Sequence, residues 1–194
     1  MGLSRLRDIW SRFSGGGVYP HELAFLLDLP LRRLILSPEK LADRLHLKND
    51  SHVLEIGPGS GYFSIEVARR IPNGILELID IQEEMLEKIR VKGVKYKLKN
   101  LRFKAGDAAS LPYEDNVFDV IFMVTVLAEI DNKEACLKNI YRILKSGGIL
   151  SITEQPGDPD SIPFLKLKDL LEGYGFKYVE KYNQRLNYTA NFTR

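Results

Sequence analysis

The sequence predicts an α/β protein with a mostly parallel sheet, and three observations carry that expectation. Short apolar runs recur between stretches of helical periodicity, the alternation that builds strand–helix–strand units. The first of these runs breaks into a glycine-rich turn and passes at once into a helix pattern. A later run, Phe-Asp-Val-Ile-Phe-Met-Val at 118–124, is almost continuously apolar, as a strand covered on both faces must be.

Residues 53–61 read Val-Leu-Glu-Ile-Gly-Pro-Gly-Ser-Gly, and an amphipathic helix pattern follows from Tyr62 to Ile71. Glycine admits positive φ and lets a ligand approach the backbone closely. Helix-start N–H groups offer that ligand donors, so a nucleotide-like cofactor is the natural occupant. A dinucleotide fingerprint, G-x-G-x-x-G, would need glycine where Tyr62 stands, and the extra glycine here is Gly61. A phosphate loop is excluded, because no Gly-Lys-Ser/Thr follows. Residues 75–80 form a second strand ending on Asp80, nineteen residues after Gly61. Either this carboxylate accepts the hydroxyl protons of a ribose, or it caps the helix that starts near Gln82. The run from Leu101 to Ala108 predicts a third strand ending in a second acid, Asp107. Residues 118–124 are the fourth strand, and 145–153 read as a helix stop followed by a fifth.

At 194 residues, one domain is expected. Hydrophobic content of 44% and charged content of 28% are those of an ordinary soluble protein, and a net charge of +2 gives no argument for a polyanionic partner. The single cysteine, Cys136, rules out internal disulfides and Cys-x-x-Cys metal knuckles, and no metal site is expected. It reads either as a buried helix residue or as a reactive thiol. Met1 to Asp8 is too polar for a secretory signal, and Leu6 stands where myristoylation requires Ser or Thr. No apolar run approaches the roughly 20 residues that span a bilayer. A cytoplasmic location is the expectation.

Before the core lies an N-terminal extension, residues 1–49. Gly15-Gly16-Gly17 separates a short basic helix pattern, Leu3 to Phe13, from an apolar stretch at 21–36 that Pro30 divides. Ser37 and Pro38 then read as the N-cap and first position of another helix. A sheet spent on a cofactor needs something to cover the cleft, and a helical lid presenting Tyr19, His21 and Phe25 would suit an acceptor with an apolar body. Two other readings stand: a helical pair completing the core, or an interfacial helix making peripheral membrane contact through Arg32 and Arg33. A basic run at 90–104 (Arg90, Lys92, Lys95, Lys97, Lys99, Arg102, Lys104) raises nucleic-acid binding. With only Tyr96 and Phe103 interleaved, and Glu83, Glu84 and Glu87 just before it, a solvated surface is favoured and nucleic acid is not expected as a partner.

These pieces together carry a resemblance. Residues 53–64 (VLEIGPGSGYFS), 79–90 (IDIQEEMLEKIR), 106–122 (GDAASLPYEDNVFDVIF) and 144–150 (LKSGGIL) resemble class I S-adenosylmethionine-dependent methyltransferases, in the subgroup that includes the ubiquinone/menaquinone-biosynthesis C-methyltransferases. The resemblance covers roughly residues 50–155. It implies a Rossmann-like, seven-stranded, mostly parallel sheet with the last strand antiparallel, over a catalytic domain at 50–194. The C-terminus accommodates this with a helix from Leu167 to Tyr174 and strands at Phe176 to Tyr182 and Leu186 to Phe192, leaving no room for a second domain. The implied cofactor is S-adenosylmethionine. By the same resemblance Glu55 orients its methionine amino group, while Gly57, Gly59 and Gly61 let the backbone approach. Asp80 binds the ribose, Ile81 packs on the adenine, Asp107 accepts from the adenine amino group with the Ala108 N–H beside it, and Val124 faces the methionine portion.

Catalytic residues are harder to read. Methyl transfer from a sulfonium is an in-line displacement in which placement alone contributes roughly 7–11 kcal/mol. A base is needed only when the acceptor must lose a proton. Related chains often carry a His-Glu pair after the fourth strand; here Ala128 and Glu129 stand there, so Glu129 is a candidate base or substrate ligand and a histidine is not. His21 is the other candidate base, Glu154 a candidate substrate contact, and His46 and His52 read as structural. No Asn-Pro-Pro-Tyr tetrapeptide follows the fourth strand, which removes the usual signal for methylating adenine or glutamine amides. The resulting expectation is a methyltransferase acting on a small, partly apolar acceptor. An RNA or protein methyltransferase, or a non-catalytic methyltransferase-like subunit, are the alternatives, and the oligomeric state is not legible.

Overall fold

The computed structural model describes residues 36–155, 161–184 and 187–194. The expected lid, with Tyr19, His21 and Phe25, lies outside the described residues. Helix α1 (Pro38–Arg44) opens as the sequence dictates, with the Ser37 side chain accepting from the Lys40 N–H and proline in the first turn. It is followed by β1 (His52–Ile56), α2 (Ser64–Arg70), β2 (Ile75–Asp80), α3 (Glu83–Lys95) and β3 (Leu101–Ala105). Then come β4 (Phe118–Val124), a 3-10 turn at Leu127–Glu129, α4 (Lys133–Ile143), β5 (Leu144–Glu154), α5 (Phe164–Gly173), β6 (Lys177–Gln184) and β7 (Asn187–Thr193).

The strands form one seven-stranded sheet in the order β3-β2-β1-β4-β5-β7-β6. Only β7 runs against its neighbours, antiparallel to both β5 and β6. Side chains alternate across the pleat, so each face has its own core. On one, Val53, Leu76, Val120 and Phe122 meet Leu41 of α1, Val67 of α2 and Leu86 and Ile89 of α3. On the other, Leu54, Ile121, Met123, Leu150 and Phe192 meet Leu137 and Ile140 of α4 and Leu167 and Leu171 of α5. Cys136 is buried on that second face, and burial pushes its thiol up to about 12, so it is protonated packing rather than a nucleophile.

Several boundaries differ from expectation for physical reasons. Helix α2 starts at Ser64 rather than Tyr62, because Gly61 at φ +80° and a Gly61 N–H bond to the Pro58 carbonyl extend the turn. Strand β3 ends at Ala105, before Asp107, its last ladder bond running from the Gly106 N–H to the Asp80 carbonyl at the end of β2. Strand β5 begins at Leu144, but its register with β4 jumps from Phe118↔Leu144 to Val120↔Ile149, so Lys145–Gly148 bulge outward around Gly147 at φ +74°. Lys145 then returns to bind Asp119 at 2.7 Å, which also accepts the His52 N–H at 2.8 Å. His46 pairs with Glu180 and His52 packs on Phe118, both structural placements.

Candidate cofactor and active site

In a parallel sheet the carboxyl ends of neighbouring strands share one crevice, deepest where the chain reverses its winding. Here that point lies beside β1, which pairs with β2 on one side and β4 on the other. A cavity of ≈ 250 Å³ opens there, walled by the ends of β1, β2 and β4 and by the loops that follow.

The floor is the glycine turn. Gly57, Gly59 and Gly61 all have positive φ, at +66°, +55° and +80°. Gly57 donates its N–H to the Ile79 carbonyl at 2.9 Å, which ties the turn to β2. A Cβ on Gly57 would lie 2.6 Å from a Val126 methyl, so the space above this residue is already taken up by the loop after β4. Gly57 and Gly59 line the cavity and Gly61 does not. At Gly61 a Cβ would meet Ile89 of α3 at 2.8 Å; the third glycine therefore serves helix packing, a correction to the expectation that it faces the cofactor.

Asp80 ends β2 and turns its carboxylate to this turn. Oδ2 accepts the Gly59 N–H at 3.4 Å and Oδ1 accepts the Gln82 N–H at 2.9 Å. Asp80 thus holds the N–H of Gln82, the residue that precedes α3, and also lines the cavity. Burial raises its pKa above the ordinary carboxylate value, outweighing the N–H groups of Gln82, Gly59 and Ile81 that pull it down. Next to it Ile81 is 61% exposed on the cavity wall, an apolar surface suited to a flat ring.

Glu55, near the end of β1, is buried and accepts the Ser64 hydroxyl at 2.6 Å. Ser64 was not among the expected site residues. Spacing alone does not mark it, since its facing Glu55 depends on how the turn carries the chain from β1 into α2. Asp107 lies on the loop after β3, lining the cavity with Ala108; its Oδ1 accepts the Ala109 N–H at 2.8 Å, closing a turn on itself. Val124 forms the wall at the end of β4.

Beyond Val124 the loop holds cavity residues that the sequence reading missed, Thr125 and Val126 first among them. Thr125 sits at φ +55°, a conformation β-branched residues strongly avoid. It is held there by its N–H to the Thr153 carbonyl at 2.8 Å and its hydroxyl to the Val124 carbonyl at 2.7 Å. Glu129, in the 3-10 turn, lines the cavity together with Ile130 and Asp131. Glu154 does not line it. This residue is 1% exposed, paired across the sheet with Tyr188, and the expectation that it points to the cleft mouth is corrected accordingly.

The donor set can be tested against an adenosyl sulfonium. Carboxylates at Glu55, Asp80 and Asp107, two glycines lining the cleft, and an apolar wall at Ile81, Met85 and Val124 offer acceptors for hydroxyl, amino and cationic groups and a surface for a base. The residues fit. Among the described residues no group of His, Cys, Asp and Glu could hold a metal.

Residues 47–172 match the family model described as a methyltransferase domain, and the chain belongs to the class I S-adenosylmethionine-dependent methyltransferases. S-adenosylmethionine is the cofactor of that family. Among curated proteins, the chain is similar to the ubiquinone/menaquinone biosynthesis C-methyltransferase UbiE of Idiomarina loihiensis, 36% identical over 107 residues, or 53% of this chain and 41% of that one. The UbiE of Blochmanniella pennsylvanica is 33% identical over 147 residues, 73% of this chain and 55% of that protein. The chain thus spans about half the length of the curated relatives it matches. Among solved structures, a SAM-dependent methyltransferase from Aquifex aeolicus superposes with a TM-score of 0.84 at 23% identity, over 90% of this chain and 98% of that one, a likeness of fold.

Proposed function

We propose that this protein transfers a methyl group from S-adenosylmethionine to a small, partly apolar acceptor. The observation that carries the reading is Asp80, a buried carboxylate aimed across the glycine turn at the mouth of the cavity. The cofactor supplies a methyl group already activated by its positive sulfur. The task left to the chain is to bind, orient and exclude water. Asp80 takes the ribose hydroxyls, Ile81 the adenine face, and Asp107 with the Ala108 N–H the adenine edge. Glu55, held by Ser64, holds the methionine amino group, and Val124 borders the reacting end. Glu129 stands on the loop where an acceptor would approach and is proposed as its ligand or as the base for an acceptor that must lose a proton.

The acceptor class is supported by the activity for which the curated relatives are named, C-methylation in ubiquinone and menaquinone biosynthesis, and by the valine and isoleucine side chains of the loop after β4. Tyr19, His21 and Phe25 remain proposed acceptor contacts on an N-terminal cover that precedes α1, whose Leu41 packs in the core. No described helix is long and apolar enough to cross a membrane. The basic run lies on α3 and edge strand β3, with Arg90 bound to Glu83 and Glu87; charge along an unpaired edge discourages strand addition, an ordinary use for Arg102 and Lys104.

Calorimetry with S-adenosylmethionine tests the cofactor half of this reading. Asp80→Ala should weaken binding by about 1.5–3 kcal/mol for each lost charge-assisted bond. Unchanged affinity would refute the ribose assignment. A radiolabelled-methyl screen across quinol, amine, lipid and RNA pools tests the acceptor half, and label entering only RNA would overturn it.

A further inference from the structure

Helix α4 begins with a residue that looks misplaced. Lys133 is its first residue, and a cation in the first turn opposes the helix dipole. Its side chain resolves the conflict by folding back, away from the helix. The ammonium donates to the Ala128 carbonyl at 2.8 Å and to the Ile130 carbonyl at 2.7 Å. These carbonyls flank Glu129 at the end of the 3-10 turn, where the backbone presents partial negative charge. The same helix reaches the other cavity loop: the Asn139 amide donates to the Ala109 carbonyl at 3.0 Å, in the turn that Asp107 closes. Asn132 caps α4 through the Ala135 N–H at 3.0 Å and itself lines the cavity.

We infer that Lys133 is a positioning residue, whose ammonium fixes the loop bearing Glu129 against the cofactor cleft while Asn139 fixes the loop bearing Asp107. The inference rests on the cofactor reading above. Lys133 does not line the cavity, so its effect on a ligand passes through Glu129, Ile130 and Asp131, which do. A hydrogen-bonded ammonium on the carbonyls either side of Glu129 restrains them more than apolar packing would, because charge-assisted bonds are the stronger class. Cofactor affinity then depends on a side chain that never touches cofactor.

The test uses the full chain with three variants. Lys133→Met should raise the calorimetric Kd for S-adenosylmethionine about tenfold, a fraction of what its two lost charge-assisted bonds are worth, since they act on the cofactor only through the loop. Lys133→Arg, which keeps the donors, should recover most of that loss. Lys138→Met on the same helix, whose exposed ammonium binds Glu134, should leave Kd as in the wild type. Equal weakening by Lys133→Met and Lys138→Met would mean general helix damage and would overturn the inference, as would a Lys133→Met chain that binds normally. Amide hydrogen exchange on the ligand-free chain makes the test independent of the cofactor reading. Residues 128–132 should exchange faster in Lys133→Met than in the wild type, and unchanged rates there would sink the clamp even if the wild type bound no cofactor at all.

Discussion

Asp80 concentrates the conflict between stability and binding in one side chain. Its pKa is raised by burial, so the folded protein holds the proton more tightly than the unfolded chain. Stability from this group therefore falls as pH rises through the window between the ordinary carboxylate value and the raised one, and the ionised form is a net cost at neutral pH. Ligand binding has the opposite preference, since only the ionised carboxylate accepts two hydroxyl protons. Compared with Asp80→Asn, the ligand-free wild type should gain stability on acidification through that window, while its cofactor affinity falls over the same range. The Asn variant should bind weakly with no such pH dependence. Urea titrations and calorimetry at matched pH values check both signs; a wild type that loses stability relative to the Asn variant on acidification would contradict the burial argument. The places of Asp80 and Gly57 at the cavity were legible because they leave a mark at fixed spacing, glycines after an apolar run and an acid at the end of the next. Ser64 and Val126 left no such mark. What they do depends on which residues the turn and the loop bring opposite them, and spacing alone does not encode that.

At the scale of an element, the loop after β4 is where sequence reasoning ran short. A strand is specified by apolar period and burial, and 118–124 emerged with the same bounds in the structure. The loop has no period. Its shape comes from Thr125 at φ +55°, from Val126 lying over Gly57, and from Lys133 gripping two carbonyls. The ends of β3 and β5 were blurred for a related reason, since where β2 stops and where the register with β4 jumps are set by the neighbouring strand. A strained residue beside a binding cavity is the pattern expected where function is kept at the expense of stability. Thr125→Gly should therefore stabilise the free protein by about 1 kcal/mol, the strain of roughly 1–3 kcal/mol relieved less the entropy glycine adds to the unfolded chain. Denaturant midpoints at constant m-value measure this. Cofactor affinity should fall in the same variant, because the wall next to Val124 gains freedom. Loss of stability instead would show that the hydroxyl bond to the Val124 carbonyl outweighs the strain.

Across the whole molecule, the sheet divides the work between a binding half and a bracing half. Strands β1, β2 and β4 end in the cavity, whereas β7, the last strand made, slots between β5 and β6 and joins chain regions far apart in sequence. Its antiparallel direction needs no crossover helix, which is why a bare hairpin can complete the sheet. Phe192 is the anchor of that half: fully buried, set edge-on against Tyr178 at 5.8 Å and packed in the core shared with α4 and α5. Phe192→Ala should cost about 3–5 kcal/mol, a large part of the 5–15 kcal/mol typical of a domain. Cofactor affinity, by contrast, should stay within about twofold, because Phe192 does not line the cavity and its loss falls first on the hairpin it anchors. S-adenosylmethionine at about one hundred times its Kd should then return about 2.7 kcal/mol to wild type and variant alike. Denaturant titrations with and without ligand measure both quantities in one experiment. A ligand-induced gain that shrinks in Phe192→Ala would show instead that the hairpin shapes the cleft, and that bracing and binding are not separate tasks in this fold.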